Sequence, residues 1–150
     1  MSLKEKIQSD FIVSMKEKNI IAKSALSGLK SKITEAEKSN GNIELNDSEV
    51  IKVVVASIKQ RKQSVVEFVK GNRQDLADKE NGEIEILSNY LPSQMNEVEV
   101  EIALGLILSQ LPSDGNKMKL VGQTIGTFNK MYQGRADNTV VKKIVELLVS

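Results

Sequence analysis

Neither histidine nor cysteine occurs in the 150 residues of this chain, so its chemistry is limited to carboxylates, lysines, arginines, hydroxyls and the N-terminal amine. A Ser-His-Asp triad, a Cys-His pair, a disulfide and any metal site built on sulfur or imidazole are excluded. Three groups of residues remain. Asp75, Asp78, Glu80, Glu83 and Glu85 place five acids in eleven positions, and helical spacing points them in several directions rather than at one hard cation. Upstream of them lie Lys59, Arg61 and Lys62, with Arg73 at the break, a basic patch that could either meet phosphates or be neutralised by the acids that follow. The third group is C-terminal. Between residues 112 and 150, Lys117, Lys119, Lys130, Arg135, Lys142 and Lys143 stand against Asp114, Asp137 and Glu146. Arg135 sits in a loop ahead of a helix start, where an arginine and a helix N-terminus together make an anion site; a salt bridge to Asp137 or capping of the preceding helix are its other readings. Gly122 and Gly126, four apart, and Gly134 would allow close approach of a neighbouring helix or of an RNA backbone, with helix packing the expected role of the first two.

These residues need helices to position them. Leu3, Ile7, Phe11 and Met15 recur every four residues and predict a helix over 3–18, ending near Asn19. Ala22, Ala25, Leu26, Leu29, Ile33 and Ala36 predict a second, which SNGN at 39–42 terminates. Asn46 with Glu49 three positions on has the form of a capping box, opening a helix over about 47–70. Its Val-rich start suggests a strand by propensity. The helical stripe of Val50, Val54, Ile58, Val65, Val66 and Val69 argues otherwise. After Gly71-Asn72 a fourth helix carries Leu76, Ile84, Leu87 and Leu91 and ends before Pro92, since proline disfavours helical geometry in the residue preceding it. Asn96 and Glu99 repeat the capping-box spacing, and Val98, Ile102, Ala103, Leu106 and Ile107 continue that helix to the LPSDG turn at 111–115. Met118, Val121, Ile125, Phe128 and Tyr132 mark the sixth helix, and Val140, Val141, Ile144, Val145 and Leu148 the seventh, with Asp137 or Asn138 as its N-cap. The expected fold is all-α, a four-helix N-terminal domain over 1–92 followed by a three-helix bundle over 93–150.

Composition narrows the partners. Lys plus Arg number 21 and Asp plus Glu 20, so any basic surface is local. No apolar run approaches the ~20 residues of a membrane span, and the charged start MSLKEKIQSDFIVSMKEK is unlike a secretory signal. A cytoplasmic protein without membrane contact is expected.

Residues 58–92 carry a resemblance. Lys59-Gln60-Arg61, Phe68, Gly71, Arg73, Asp75-Leu76, Lys79-Glu80 and Tyr90-Leu91-Pro92 resemble the hallmark of the YqeY family of small bacterial proteins, with Asn72 as an extra residue between Gly71 and Arg73. Gly122 and Gly126 in VGQTIG, GRAD at 134–137, Val141-Lys142-Lys143 and Leu147-Leu148 are similar to a pattern shared by that family and the C-terminal tail of the B subunit of glutamine-dependent aminoacyl-tRNA amidotransferase. Gln123 departs from it, a lysine being common after the first glycine. The resemblance implies a two-part helical protein whose C-terminal part is a tRNA-contacting appendage, without the catalytic body of the larger subunit. No Gly-Ser-Ser amidase signature, P-loop or dinucleotide fingerprint is present.

The expectation is therefore a non-catalytic module, needing no cofactor, that meets tRNA or another RNA through Lys117, Lys119, Lys130, Arg135, Lys142 and Lys143 by shape and charge. Two Tyr and three Phe leave little to stack unpaired bases on. The alternative is an adaptor that docks on a synthetase or amidotransferase complex. A carbon-nitrogen ligase using glutamine as amide donor is the third and weakest expectation.

Overall fold

The computed structural model describes residues 1–150 as seven helices with no strand. They are α1 (Leu3–Lys16), α2 (Ile20–Ser39), α3 (Asp47–Lys70), α4 (Gln74–Ser88), α5 (Glu97–Gln110), α6 (Lys117–Met131) and α7 (Asn138–Val149). The chain divides into two compact units, Met1–Leu91 and Pro92–Ser150.

Helix starts follow the side chains that cap them. Both Asn-x-x-Glu boxes form: Asn46 Oδ1 accepts from Glu49 N at 2.9 Å and Asn96 Oδ1 from Glu99 N at 2.8 Å, while each glutamate accepts from its asparagine's N–H. Asp137, rather than Asn138, caps α7 by accepting from Thr139 N at 2.8 Å. The first three helices of the first unit end at left-handed residues, whereas α4 ends on the right-handed Asn89. Lys18 takes φ +56° and stops α1 two residues before the expected end, with Asn19 N donating to Ser14 O. Asn72, the extra residue of the turn, takes the same role at φ +56°: its N–H meets Val69 O and Arg73 N meets Phe68 O, the paired bonds of a Schellman motif. Gly71 before it has an ordinary negative φ. Asparagine tolerates the left-handed region better than other side-chain-bearing residues, which is why Asn72 can close the turn without a second glycine.

In the first unit α1, α2 and α3 surround Ile7, Ala25, Leu26, Leu29, Ile33, Val50, Val54 and Ile58, and Leu87 of α4 and Tyr90 just after it complete the cluster. Several expected stripes shift. Met15 is exposed and Ser14 is buried in its place, its hydroxyl donating to Phe11 O at 2.6 Å. Val66 and Val69 are half exposed, lying about 140° and 80° around α3 from the inward-pointing Arg61. Tyr90 of the Tyr-Leu-Pro closure reaches back to α1, donating to Asp10 Oδ2 at 2.6 Å, with Lys6 Nζ 3.1 Å from the same carboxylate and 4.9 Å from the ring centre.

The second unit packs α5, α6 and α7 around Val100, Ala103, Leu104, Ile107, Phe128, Val141 and Val145. Two expectations fail here. Met118 is 87% exposed, and α5 turns Val98, Ile102 and Leu106 outward while burying Val100 and Leu104. EVEVEIALGLIL is apolar on nearly every side, so its pattern does not select a face.

The Tyr90 hydrogen bond, followed by Lys6, holds the Asp10 carboxyl below its ordinary pKa. A depressed carboxylate stabilises the fold above its unfolded pKa and loses that contribution as pH falls through the folded value. Tyr90→Phe should therefore cost about 1 kcal/mol at neutral pH in urea titrations, and the gap to wild type should close below pH ~4. Capping gives a second test. Asn96→Ala should lower stability by ~1 kcal/mol.

Candidate functional site

The two basic groups expected from the sequence meet different fates. In the first unit the patch of Lys59, Arg61, Lys62 and Arg73 does not form. Arg61 points into the helical bundle, where Nη1 lies 2.5 Å from Glu83 Oε2 and 3.2 Å from Glu80 Oε2. Glu83 is only 2% exposed, and α2 makes room for the guanidinium at Gly28, where a Cβ would lie 3.2 Å from Arg61 Nη2. Arg73 stays outside but is engaged by Asp75 through two hydrogen bonds of 3.1 Å, Nε to Oδ1 and Nη2 to Oδ2. The cause is spacing. Arg61 falls a turn beyond Ser57 and Ile58 on the buried side of α3, whereas Lys59 and Lys62 lie on exposed surface. Three of the five acids of α4 are thereby spent on architecture, Glu80 and Glu83 on Arg61 and Asp75 on Arg73.

The C-terminal cations form a more open arrangement. Lys119, Gly122, Gln123, Gly126 and Lys130 recur at one-turn intervals along α6 and are all exposed. The two glycines do not pack as expected: a Cβ at Gly122 or Gly126 would meet nothing within 4 Å. Between the two lysines this side of α6 carries Gln123 and the open backbone of two glycines. Lys119 Nζ is 3.2 Å from Asp114, while Lys130 makes no ion pair. Lys117, in the first turn, lies about 200° around the helix from Lys119 and outside that row. On α7 Lys142 and Lys143 are exposed about 100° apart; Lys142 approaches Glu146 at 3.9 Å, and Lys143 is unpaired.

Arg135 joins the α6–α7 loop to the start of the unit. Its Nε donates to Ser93 O at 3.0 Å, its N–H to Tyr132 O at 3.0 Å, and its carbonyl accepts from Met95 N at 2.8 Å. The guanidinium carbon lies 5.7 Å from the Tyr132 ring centre, and Tyr132 in turn packs on Phe128 with centroids 5.1 Å apart. Gly134 takes φ +73°, which a side chain would resist, and its carbonyl accepts from Gln94 Nε2 at 2.7 Å. Part of Arg135's donor capacity is thus spent holding the loop. The segment 93–95 was invisible as its partner because main-chain carbonyls carry no residue signature.

Sequence reasoning missed the burial of Glu83, the close approach at Gly28 and the outward turn of Val98, Ile102 and Leu106, while the pairing of Arg61 with the acids that follow was one of its two readings. A buried glutamate on an acidic helix has no distinguishing mark, although Gly28, inside α2 and flanking its alanine- and leucine-rich stripe, was a readable sign of close approach.

An all-helical protein of two units, with the anions of the first turned partly inward and an exposed lysine-and-glycine row on the second, defines the class. The Yqey-like protein family matches residues 4–149, and the chain belongs to it. A relative named "Altered inheritance of mitochondria protein 41, mitochondrial" from Kluyveromyces lactis is 33% identical over 117 residues, covering 76% of this chain and 63% of that protein. The proteins of the same name from Lachancea thermotolerans and Pyrenophora tritici-repentis are 30% identical over 116 residues and 28% over 145; the matches cover 76% and 95% of this chain, and 62% and 79% of those proteins. The chain spans a little under two thirds of the first two relatives. The family's likeness is therefore not confined to bacteria, and these relatives' names put them in mitochondria. In this chain no helix is long and apolar enough to cross a membrane.

Arg61→Met should lower stability by ~3–5 kcal/mol, because it strands a buried carboxylate. An Arg61→Met/Glu83→Leu double variant should recover most of that loss in denaturant unfolding. Equal stability of the single variant and wild type would refute the ion pair's structural role.

Proposed function

We propose that the chain is a non-catalytic RNA-binding module, tRNA being the expected ligand, working in the aqueous compartment where tRNA is charged. The observation that carries this reading is the exposed row of Lys119, Gly122, Gly126 and Lys130 on α6, accompanied by Lys142 and Lys143 on α7. Lysines supply point charges for phosphates, and the absent Cβ atoms let a sugar-phosphate backbone come close to the helix. Arg135 serves mainly to fix the loop between the two helices. Lys117, on the other side of α6, stands apart from this surface. The likeness of 118–148 to the amidotransferase tail supports the choice of tRNA, and the engagement of the α4 acids by Arg61 and Arg73 supports reading that helix as architecture rather than as a catalytic cation site.

The expected result is binding of the full chain to bulk tRNA with an affinity that falls steeply with salt. Lys130→Glu/Lys143→Glu should weaken it and reduce the slope of log affinity against log salt by about 2. Gly122→Ala/Gly126→Ala is a sharper test. In helix interiors these changes should stabilise the protein by ~0.5–1 kcal/mol each, yet they should weaken tRNA binding if the backbone approaches there. Tighter or unchanged binding with raised stability would remove the glycine face from the site.

One observation favours the adaptor reading. Val98, Ile102 and Leu106 stand 60–65% exposed at four-residue intervals on α5, which is how an amphipathic protein partner is engaged. On that reading Ile102→Glu abolishes capture of a synthetase or amidotransferase subunit and leaves tRNA affinity unchanged.

A further inference from the structure

Burial of Arg61 leaves the opposite side of α3 with a composition of its own. Val50, Val54, Ser57 and Ile58 are buried, and Lys52, Lys59 and Lys70 fall about half a turn away, within ~20° of one another in projection at 100° per residue. Lys62 lies about 60–80° to one side of them. All four are exposed. At 1.5 Å per residue the row from Lys52 to Lys70 is about 27 Å long. Lys52, Lys59 and Lys70 make no ion pair.

The acids that follow in α4 would be the obvious counter-charge, and they are committed elsewhere. Glu80 and Glu83 hold Arg61, Asp75 holds Arg73, and Asp78 accepts from Gln74 at 2.7 Å. Glu85 lies about 200° around α4 from the inward-facing Glu83. On α3 itself Glu49 accepts from the Asn46 N–H, and Glu49 and Glu67 stand about 60–80° from the lysine row without an ion pair to it. Three lysines without an ion pair along one line, Lys52, Lys59 and Lys70, call for a polyanion.

We propose that the outward side of α3 is a docking surface for the phosphate backbone of a structured RNA. The choice of RNA rests on the functional reading above; the surface itself does not. A continuous run of phosphates offers partners in any register to flexible lysine point charges. An anionic membrane fits less well, because interfacial helices bury Trp, Phe or Leu, and the apolar side of α3 already lies in the core with only Val66 and Val69 half exposed beside the lysines. The surface reads no sequence, since no aromatic ring lies among these residues.

The test uses the full chain with bulk tRNA and, separately, vesicles rich in phosphatidylserine. Lys52→Gln/Lys59→Gln/Lys70→Gln, and the same three positions changed to Glu, are compared with Lys130→Glu/Lys143→Glu, with thermal melts to confirm folding. The glutamine triple variant should keep its melting temperature and reduce the salt slope of tRNA binding by about 2–3, and the glutamate variant should weaken binding further. If both α3 variants bind tRNA as wild type does, the proposal is overturned, while loss in the C-terminal variant alone would leave the earlier reading standing. Loss in the α3 variants alone supports this surface and removes the C-terminal one. Binding to the vesicles but not to tRNA overturns RNA as the occupant, and no binding to either overturns the surface.

Discussion

A guanidinium drawn into a helical bundle has to be met by anions, and Arg61 places that demand on three helices of the first unit at once. Glu83 and Glu80 answer it from α4, and Gly28 leaves the space on α2. A pair of this kind contributes little net stability compared with apolar residues of the same volume, because both charges lose their hydration. It is demanding in geometry instead. Sliding α4 along α3 by one turn would leave Glu83 buried without its partner, so the pair fixes which turn of one helix faces which turn of the other. The Schellman turn through Asn72 sets the same register from the other end of the hairpin.

The second unit has no such pair and is held differently. Its core is aliphatic around Phe128, its one buried hydroxyl, Thr124, donates to Leu120 O at 2.7 Å, and the loop at 134–135 is tied to 93–95 by main-chain and side-chain bonds. Nothing charged is drawn inward from α6 or α7. Their cations remain at the surface, even though Lys117 and Lys119 sit in the first turn of α6, where the helix dipole disfavours positive charge. Asp114 offsets that for Lys119.

The helices themselves were legible because their boundaries are written in short-range chemistry: two Asn-x-x-Glu boxes, a proline, and Asn or Gly at the turns. Which side of each helix faces inward was legible where polar and apolar residues alternate with helical period, as in α2 and α7. It was not legible on α5, where apolar residues surround the axis, nor on the second half of α3, where Arg61 points inward and Val66 and Val69 are half exposed. The candidate site divides in the same way. Lys130, Lys142 and Lys143 could be placed on helix surfaces from spacing alone. The openness around Gly122 and Gly126 could not, because a glycine pair reads identically whether another helix fills the notch or nothing does.

The division between the two basic residue types bears on recognition. The chain has three arginines, and each is engaged within the fold: Arg61 by two glutamates, Arg73 by both oxygens of Asp75, Arg135 by a carbonyl and near an aromatic ring. All its other cationic side chains are lysines. Arginine's planar fork suits bidentate contacts with base edges and phosphates, whereas lysine is a hydrated point charge on a flexible stem. A protein that keeps its arginines for its own architecture and turns lysines outward is equipped for contacts that depend on charge density and shape. If the proposed surfaces bind a polyanion, discrimination comes from the spacing of lysines within each row, which the helix that carries the row fixes.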